Sequence, residues 1–274
     1  MFPTLSDPLL LGVLTCGGFA SGCWLVSVLT GNYSQSDRLW SITPAVYVAL
    51  FAAAADFADP RLNLMLLLTV AWGARLTWNF ARKGGYRAGH EDYRWPVLRK
   101  KMSPALFQIF NVVFIALYQN ALLLLLALPA WSAWQMRGTP LGLADGAAGG
   151  LFALFLVGES VADQQQWKFQ NAKHAAKRRG ESVDGEFLTT GLFRFSRHPN
   201  FFCEQALWWS FYGFAMAATG RWFNETIAGA VLLTVLFQGS TAFTEKLTLS
   251  KYPEYAAYQR TTSRLLPLPP RKGG

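Results

Sequence analysis

Long apolar runs alternate with short polar, mostly basic segments along this chain. A bilayer core takes roughly 20 apolar residues of helix. Seven stretches reach or approach that length, at 8–29, 39–55, 62–80, 106–131, 141–161, 205–219 and 223–243. The second and sixth are short, so they tilt or meet the interface with their polar ends. The stretch VADQQQWKFQNAKHAAKRR at 161–179 has no helix breaker and extends the fifth helix beyond the bilayer until Gly180 stops it. A loop, ESVDGEFLTTG, follows. Near the end, Tyr255 and Tyr258 lie three residues apart on one face of a short helix that stops before the Pro-rich LLPLPP.

The basic residues give these runs a direction. The segment at 82–101 carries seven Lys/Arg, and the positive-inside rule puts such a loop in the cytoplasm. Alternation then places 31–38, 168–197 and the tail from Lys246 on the same side, with 21 of the 25 basic residues. Arg61, Arg137 and Arg221 fall opposite, and Arg75 lies within a helix. An even number of spans would strand the tail's bases on the wrong side. The pattern therefore predicts an all-α integral membrane protein. It is a bundle of seven transmembrane helices with the N-terminus out and the C-terminus cytoplasmic. Trp131, Trp134 and Trp222 fall at the outer ends, where an aromatic belt is expected.

Composition agrees. Hydrophobic residues make up 52% of the 274 and charged residues 15%, a balance that suits a membrane protein better than a soluble enzyme. The formal charge of +9 would fit nucleic acid, but the bases lie between apolar runs and match anionic headgroups instead. Membrane lipids are thus expected partners and nucleic acid is not. Cys16, Cys23 and Cys203 have no metal-ligand spacing, so no metal site is expected. The first apolar run lacks a basic leader and a cleavage site and reads as a mature helix.

Charges at the membrane boundary carry the candidate chemistry. A charge in a bilayer is kept when it faces a bundle interior or wet cavity and has a partner. The acids are Asp37, Glu159, Asp163, Glu204 and Glu245. The bases are Arg75, Lys168, Arg194, Arg197 and Lys246. All but Arg75 fall near the predicted cytoplasmic ends, where one polar cavity would satisfy them together. The densest run is GLFRFSRHPNFFCE at 191–204. Its Arg194, Arg197, His198 and Asn200 supply donors to a phosphate or a carboxamide, and the planar arginine fork suits two phosphate oxygens. The plainer reading makes the arginines headgroup anchors, yet an anchor needs neither Asn200 nor Glu204.

Other groups read two ways. Asp163 and Lys168 form either a surface pair or part of the cavity. Glu245 and Lys246 are either interface charges or site residues, and Tyr255 and Tyr258 either pack or cover a ligand. Asp37, in SDRLWS, is a helix cap or a proton donor kept protonated by burial. In AWGARLTWNF, Trp72, Arg75 and Asn79 share one face on adjacent turns; Arg75 either pairs with Asp37 or lines the cavity. His90 and His174 read as solvated. There is no dinucleotide-binding GxGxxG after a strand, no P-loop, no HExxH and no paired CxxC.

The run GLFRFSRHPNFFCEQALWW resembles the C-terminal signature of the steroid 5-alpha-reductase superfamily, and within it a bacterial branch of unassigned function. SDRLW, WGARLTWNFARKGGYRAGHEDYRW and EKLTLSKYPEYAAYQRTTSRLLP fit the same branch in order. The resemblance implies a seven-helix bundle, one membrane domain over 1–274, with substrate-side helices in 1–135 and a cofactor-binding part in 136–274. It places the protein in a bacterial inner membrane with the active site open to the cytoplasm. It implies NADPH as cofactor and a steroid-like or other lipid enone of the 3-oxo-4-ene type as substrate.

The coenzyme positions it marks are Asp163, Asn200 and Glu204, with Arg194, Arg197 and His198 from the same signature. Arg75 would reach a phosphate beside Asn79, and Tyr255 or Tyr258 would cover the coenzyme, with Lys168 and Glu245 nearby. The catalytic positions fall on Asp37 and Trp72. The steroid enzymes have a Gln-Glu pair and a tyrosine there, where this chain has Ser36-Asp37 and Trp72; an indole donates one hydrogen bond but shuttles no proton. RHPxY-type segments also occur in S-adenosylmethionine-dependent isoprenylcysteine carboxyl methyltransferases, the second reading. A non-catalytic lipid-binding protein is the third.

Overall fold

The computed structural model describes residues 7–181 and 185–271. Among these the chain is helical, and no strand ladder forms. The helices are α1 (Pro8–Thr30), α2 (Gln35–Leu39), α3 (Thr43–Ala53), α4 (Pro60–Arg82), α5 (Arg94–Arg99), α6 (Pro104–Phe110), α7 (Gln119–Ala127), α8 (Pro129–Gln135), α9 (Leu143–Arg179), α10 (Pro199–Thr219), α11 (Ala228–Lys251) and α12 (Tyr255–Thr261). A π-helical stretch, Asn111–Tyr118, joins α6 to α7.

Several helix starts follow from the sequence. Asp7, Asp59 and Ser103 each precede a proline and cap α1, α4 and α6, accepting from the main-chain N–H of Leu9, Leu62 and Leu106. A capping oxygen followed by a residue with no N–H to lose is a strong start signal. α9 runs on to Arg179, as its unbroken sequence predicts, and Gly180 stops it in a left-handed conformation (φ +72°). The expected loop after it includes residues 182–184, which lie outside the described part.

Among the described residues, five helical stretches are long and apolar enough to cross a membrane: Pro8–Thr30, Pro60–Arg82, Pro104–Ala127, Leu143–Arg179 and Glu225–Lys251. The chain is thus an all-helical protein of multi-pass membrane type. The two remaining predicted runs take other forms. The run at 39–55 breaks at residues 40–42, leaving α3 only 11 residues long. Pro44 has no N–H to continue the preceding turn, so the helix restarts at Thr43. The run at 205–219 lies inside α10, whose first turns carry Asn200 and Glu204 and which is not among these five.

The chain divides into two compact units, Met1–Gly149 with Ser210–Val231, and Gly150–Trp209 with Leu232–Gly274. In the first, α3 packs on α1, α4 and α7, burying Tyr47, Val48 and Phe51 with Leu62, Met65 and Trp72. Helix α4 comes so close to the turn before α3 that a Cβ on Gly73 would lie 2.4 Å from the Ser41 carbonyl oxygen. A buried ion pair ties α4 to the start of α9: Arg61 Nε donates to Asp145 Oδ1 at 2.6 Å and Nη2 to Oδ2 at 2.9 Å. Thr139 Oγ1 and the Pro140 carbonyl accept the other guanidinium hydrogens. Both side chains are almost fully covered, so the bonds replace hydration that burial removed.

Candidate functional site

In the second unit, the RHPN run is organised around Glu245 of α11. Arg197 meets it fork to fork, Nε to Oε1 at 2.6 Å and Nη2 to Oε2 at 3.0 Å. His198 Nε2 lies 3.0 Å from Oε1, and Gln259 Nε2 donates to Oε2 at 2.9 Å. The Tyr255 hydroxyl reaches Oε1 at 3.5 Å. Arg197 Nη1 also donates to the carbonyls of Gln259, at 3.1 Å, and Thr262. Glu245 itself is 6% exposed. A buried carboxylate survives by such saturation with donors.

The main chain of this run is held by the segment after α12. Arg197 N–H donates to the Ser263 carbonyl (2.8 Å), His198 N–H to that of Arg264 (3.1 Å) and Leu268 N–H to that of Phe195 (3.0 Å). Ser196 Oγ donates to the Leu265 carbonyl at 2.7 Å. The Tyr258 hydroxyl donates to the Phe193 carbonyl. Phe187 stacks on Tyr258, with ring centroids 5.7 Å apart, and meets Tyr255 edge-on at 4.9 Å. Burial pushes both tyrosine hydroxyls above their ordinary pKa, so they remain protonated donors.

Helices α9 and α10 approach closely beside this node. A Cβ on Gly158 would sit 2.9 Å from Cys203 Sγ, and Phe155 meets Phe202 edge to face at 5.9 Å. Glu159 follows Gly158 on α9 and Asp163 lies one turn on; both are buried. Asn200 and Glu204 lie one turn apart on α10, half-buried. Arg194 and Lys168 are exposed. The contact joins the helix that carries Glu159 and Asp163 to the helix that carries Asn200 and Glu204, with Lys168 and Arg194 exposed in the flanking chain.

The sequence-predicted residues therefore separate by role. Arg197, His198, Glu245, Tyr255 and Tyr258 come together, with their polar groups turned on one another. Asp163, Asn200 and Glu204 belong to the α9–α10 pair, and Arg194 and Lys168 remain at the surface. Gln259, Ser196 and the carbonyls of residues 262–265 are members of the node that the sequence reading did not single out. TTSRLLP carries no charge pattern that would mark a backbone acceptor.

In the first unit, Trp72 and Asn79 are buried on α4 and Arg75 is half-buried. Asn79 Oδ1 accepts from Arg82 Nη2 at 2.7 Å. Asp37 finds its partners in the 82–101 segment. Trp95 Nε1 donates to its Oδ2 at 2.8 Å and Arg94 Nη2 to its Oδ1 at 3.3 Å, so the arginine paired with it is Arg94. Desolvation lifts the Asp37 pKa, while Arg94 pulls it back down. The same two segments are joined by Tyr33 N–H to Glu91 (3.0 Å), Asp92 N–H to Ser34 Oγ (2.8 Å) and Asn32 to the His90 carbonyl (2.7 Å).

Membrane-length helices with buried ion pairs such as Arg61–Asp145 and Arg197–Glu245 define a polytopic helical membrane protein. The chain belongs to the family described as Protein of unknown function (DUF1295), which matches residues 23–262. It is similar to the uncharacterized Schizosaccharomyces pombe protein C594.04c, with 39% identity over 277 residues, covering 96% of this chain and 80% of that one. No solved structure matches the chain.

Proposed function

We propose that this protein reduces a carbon–carbon double bond conjugated to a ketone in a steroid-like or other lipid substrate, with NADPH as reductant. The carrying observation is the close α9–α10 contact at Gly158 and Cys203, between the helix that carries Asp163 and the helix that carries Asn200 and Glu204 one turn apart. Carboxylates accept from ribose hydroxyls and from a carboxamide NH2, and an asparagine amide does both jobs for a nicotinamide carboxamide. Arg194, exposed beside them in sequence, is a cation with its fork available to solvent-side phosphate. Arg197 is engaged by Glu245, so its role in this reading is to fix the entry to α10. The resemblance of the same segment to the steroid 5-alpha-reductase signature supports the assignment.

Bound NADPH supplies the hydride for the carbon beta to the ketone. Asp37, in the first unit, is the acid that the resemblance marks for catalysis; that role requires the carboxyl proton, which burial favours and Arg94 opposes. Seven spans, with the site open to the cytoplasm of a bacterial inner membrane, complete the proposal.

The test is a fluorescence titration of purified protein with NADPH, with S-adenosylmethionine as rival ligand. NADPH binding that weakens at least tenfold in Asn200→Ala and in Glu204→Ala is the expected result, the size of one lost charged hydrogen bond. S-adenosylmethionine binding without NADPH binding would replace the reductase by a methyltransferase.

A further inference from the structure

The segment that straps the RHPN run has an outer face. Ser263 and Arg264 accept from the main chain of Arg197 and His198, and the chain then turns so that Leu268 N–H returns to the Phe195 carbonyl, pinning 263–268 against the start of α10. Only Ser196 and Ser263 form a bridge, the rest being bends, turns and irregular chain, so each side chain's direction is read from its burial. Ser196 and Leu265 turn inward and are buried, whereas Phe195, Leu266 and Leu268 turn outward, 41%, 59% and 49% exposed. The Leu268–Phe195 hydrogen bond of 3.0 Å places two of these side by side. Large apolar side chains grouped on a short, pinned backbone mark an interaction surface.

The charges around that face select its partner. No acid occurs between Phe187 and Cys203, or from Tyr255 to Arg271. The same two stretches carry Arg194, Arg197, Arg260, Arg264 and Arg271, and Arg194, Arg260 and Arg271 are exposed. Arg197 is paired with Glu245 inside the node, and the exposed Arg194, Arg260 and Arg271 that flank the apolar side chains fit the headgroup and upper acyl region of an anionic leaflet. A protein groove would have to bring its own acids to these arginines, and a neutral bilayer would leave them without counter-charge.

We infer that the paired segments 194–196 and 264–271 form a membrane-surface contact that inserts Phe195, Leu266 and Leu268 among anionic lipid headgroups. The contact is a property of the second unit and does not depend on the reductase reading. It fastens the outside of the strap to the bilayer while the inside holds Arg197 and His198.

The experiment labels Leu268→Cys in the full-length protein with a polarity-sensitive fluorophore and reconstitutes it in vesicles of phosphatidylcholine with phosphatidylserine. The parent protein, taken through the same labelling, gives the background of its native thiols. The expected result is blue-shifted emission, quenched by lipid spin-labelled near the headgroup and shielded from aqueous iodide. Both effects should shrink in pure phosphatidylcholine and in an Arg260→Gln/Arg271→Gln variant. Emission that stays water-like and iodide-accessible overturns the proposal. So does a label shielded from both quenchers, which would signify a protein partner. Identical quenching in neutral vesicles overturns the choice of anionic lipid.

Discussion

Glu245 is the residue on which the RHPN run turns. It accepts from Arg197, Gln259 and Tyr255, and lies against His198. Removing one member of a buried pair leaves the other charged and unsolvated, which costs about 3–5 kcal/mol. Glu245→Ala should therefore lower stability by that amount, and Glu245→Leu with Arg197→Met should recover much of it; thermal unfolding in detergent measures both. Arg61→Ala should destabilise comparably, because Asp145 would be left buried. Asp37 gives a pH-dependent counterpart. Its folded pKa lies above the unfolded value of about 3.9, so the folded state binds the extra proton. Stability from this group is present at low pH and falls as pH rises from the unfolded value through the folded one. The stability of the parent minus that of Asp37→Asn should decline over that window. A flat difference would show that Arg94 cancels the burial.

At the level of elements, two glycines rank helix contacts. A Cβ on Gly73 would meet the Ser41 carbonyl at 2.4 Å, main chain that cannot swing aside, whereas one on Gly158 would meet the Cys203 side chain at 2.9 Å. Gly73→Ala should cost more than Gly158→Ala, whose expected penalty is about 1–3 kcal/mol, read from unfolding midpoints. The helix plan was largely legible in the sequence. Asp-Pro and Ser-Pro starts, Gly180 and the apolar runs each have a local cause, and local causes can be read from one segment at a time. The pairings were less so. RHPN announced its polarity, but the partner of Arg197 sits 48 residues away in sequence, and other donors of the run go to backbone carbonyls of 259–265, which look alike in any sequence. Asp37 was legible as unusual, and its partners Arg94 and Trp95 were hidden in a segment whose basic count drew attention to topology instead.

For the whole molecule, the π-helical stretch Asn111–Tyr118 has the longest reach within the first unit. Phe110, Phe114 and Tyr118 form a ladder of stacked rings along it, with centroids 4.9 and 5.3 Å apart. On its inner side the Ile115 carbonyl accepts from Ser36 Oγ at 2.7 Å, beside Asp37. A π turn holds one residue more than the α turn it replaces. Deleting a single residue there would rewind the following helix by about 100° and carry Ile115 away from Ser36. A one-codon gap in a relative at this place should therefore coincide with loss of the serine. In that lineage the acid next to it would have to find a different support, and an alignment of sequences would record the two changes arriving together.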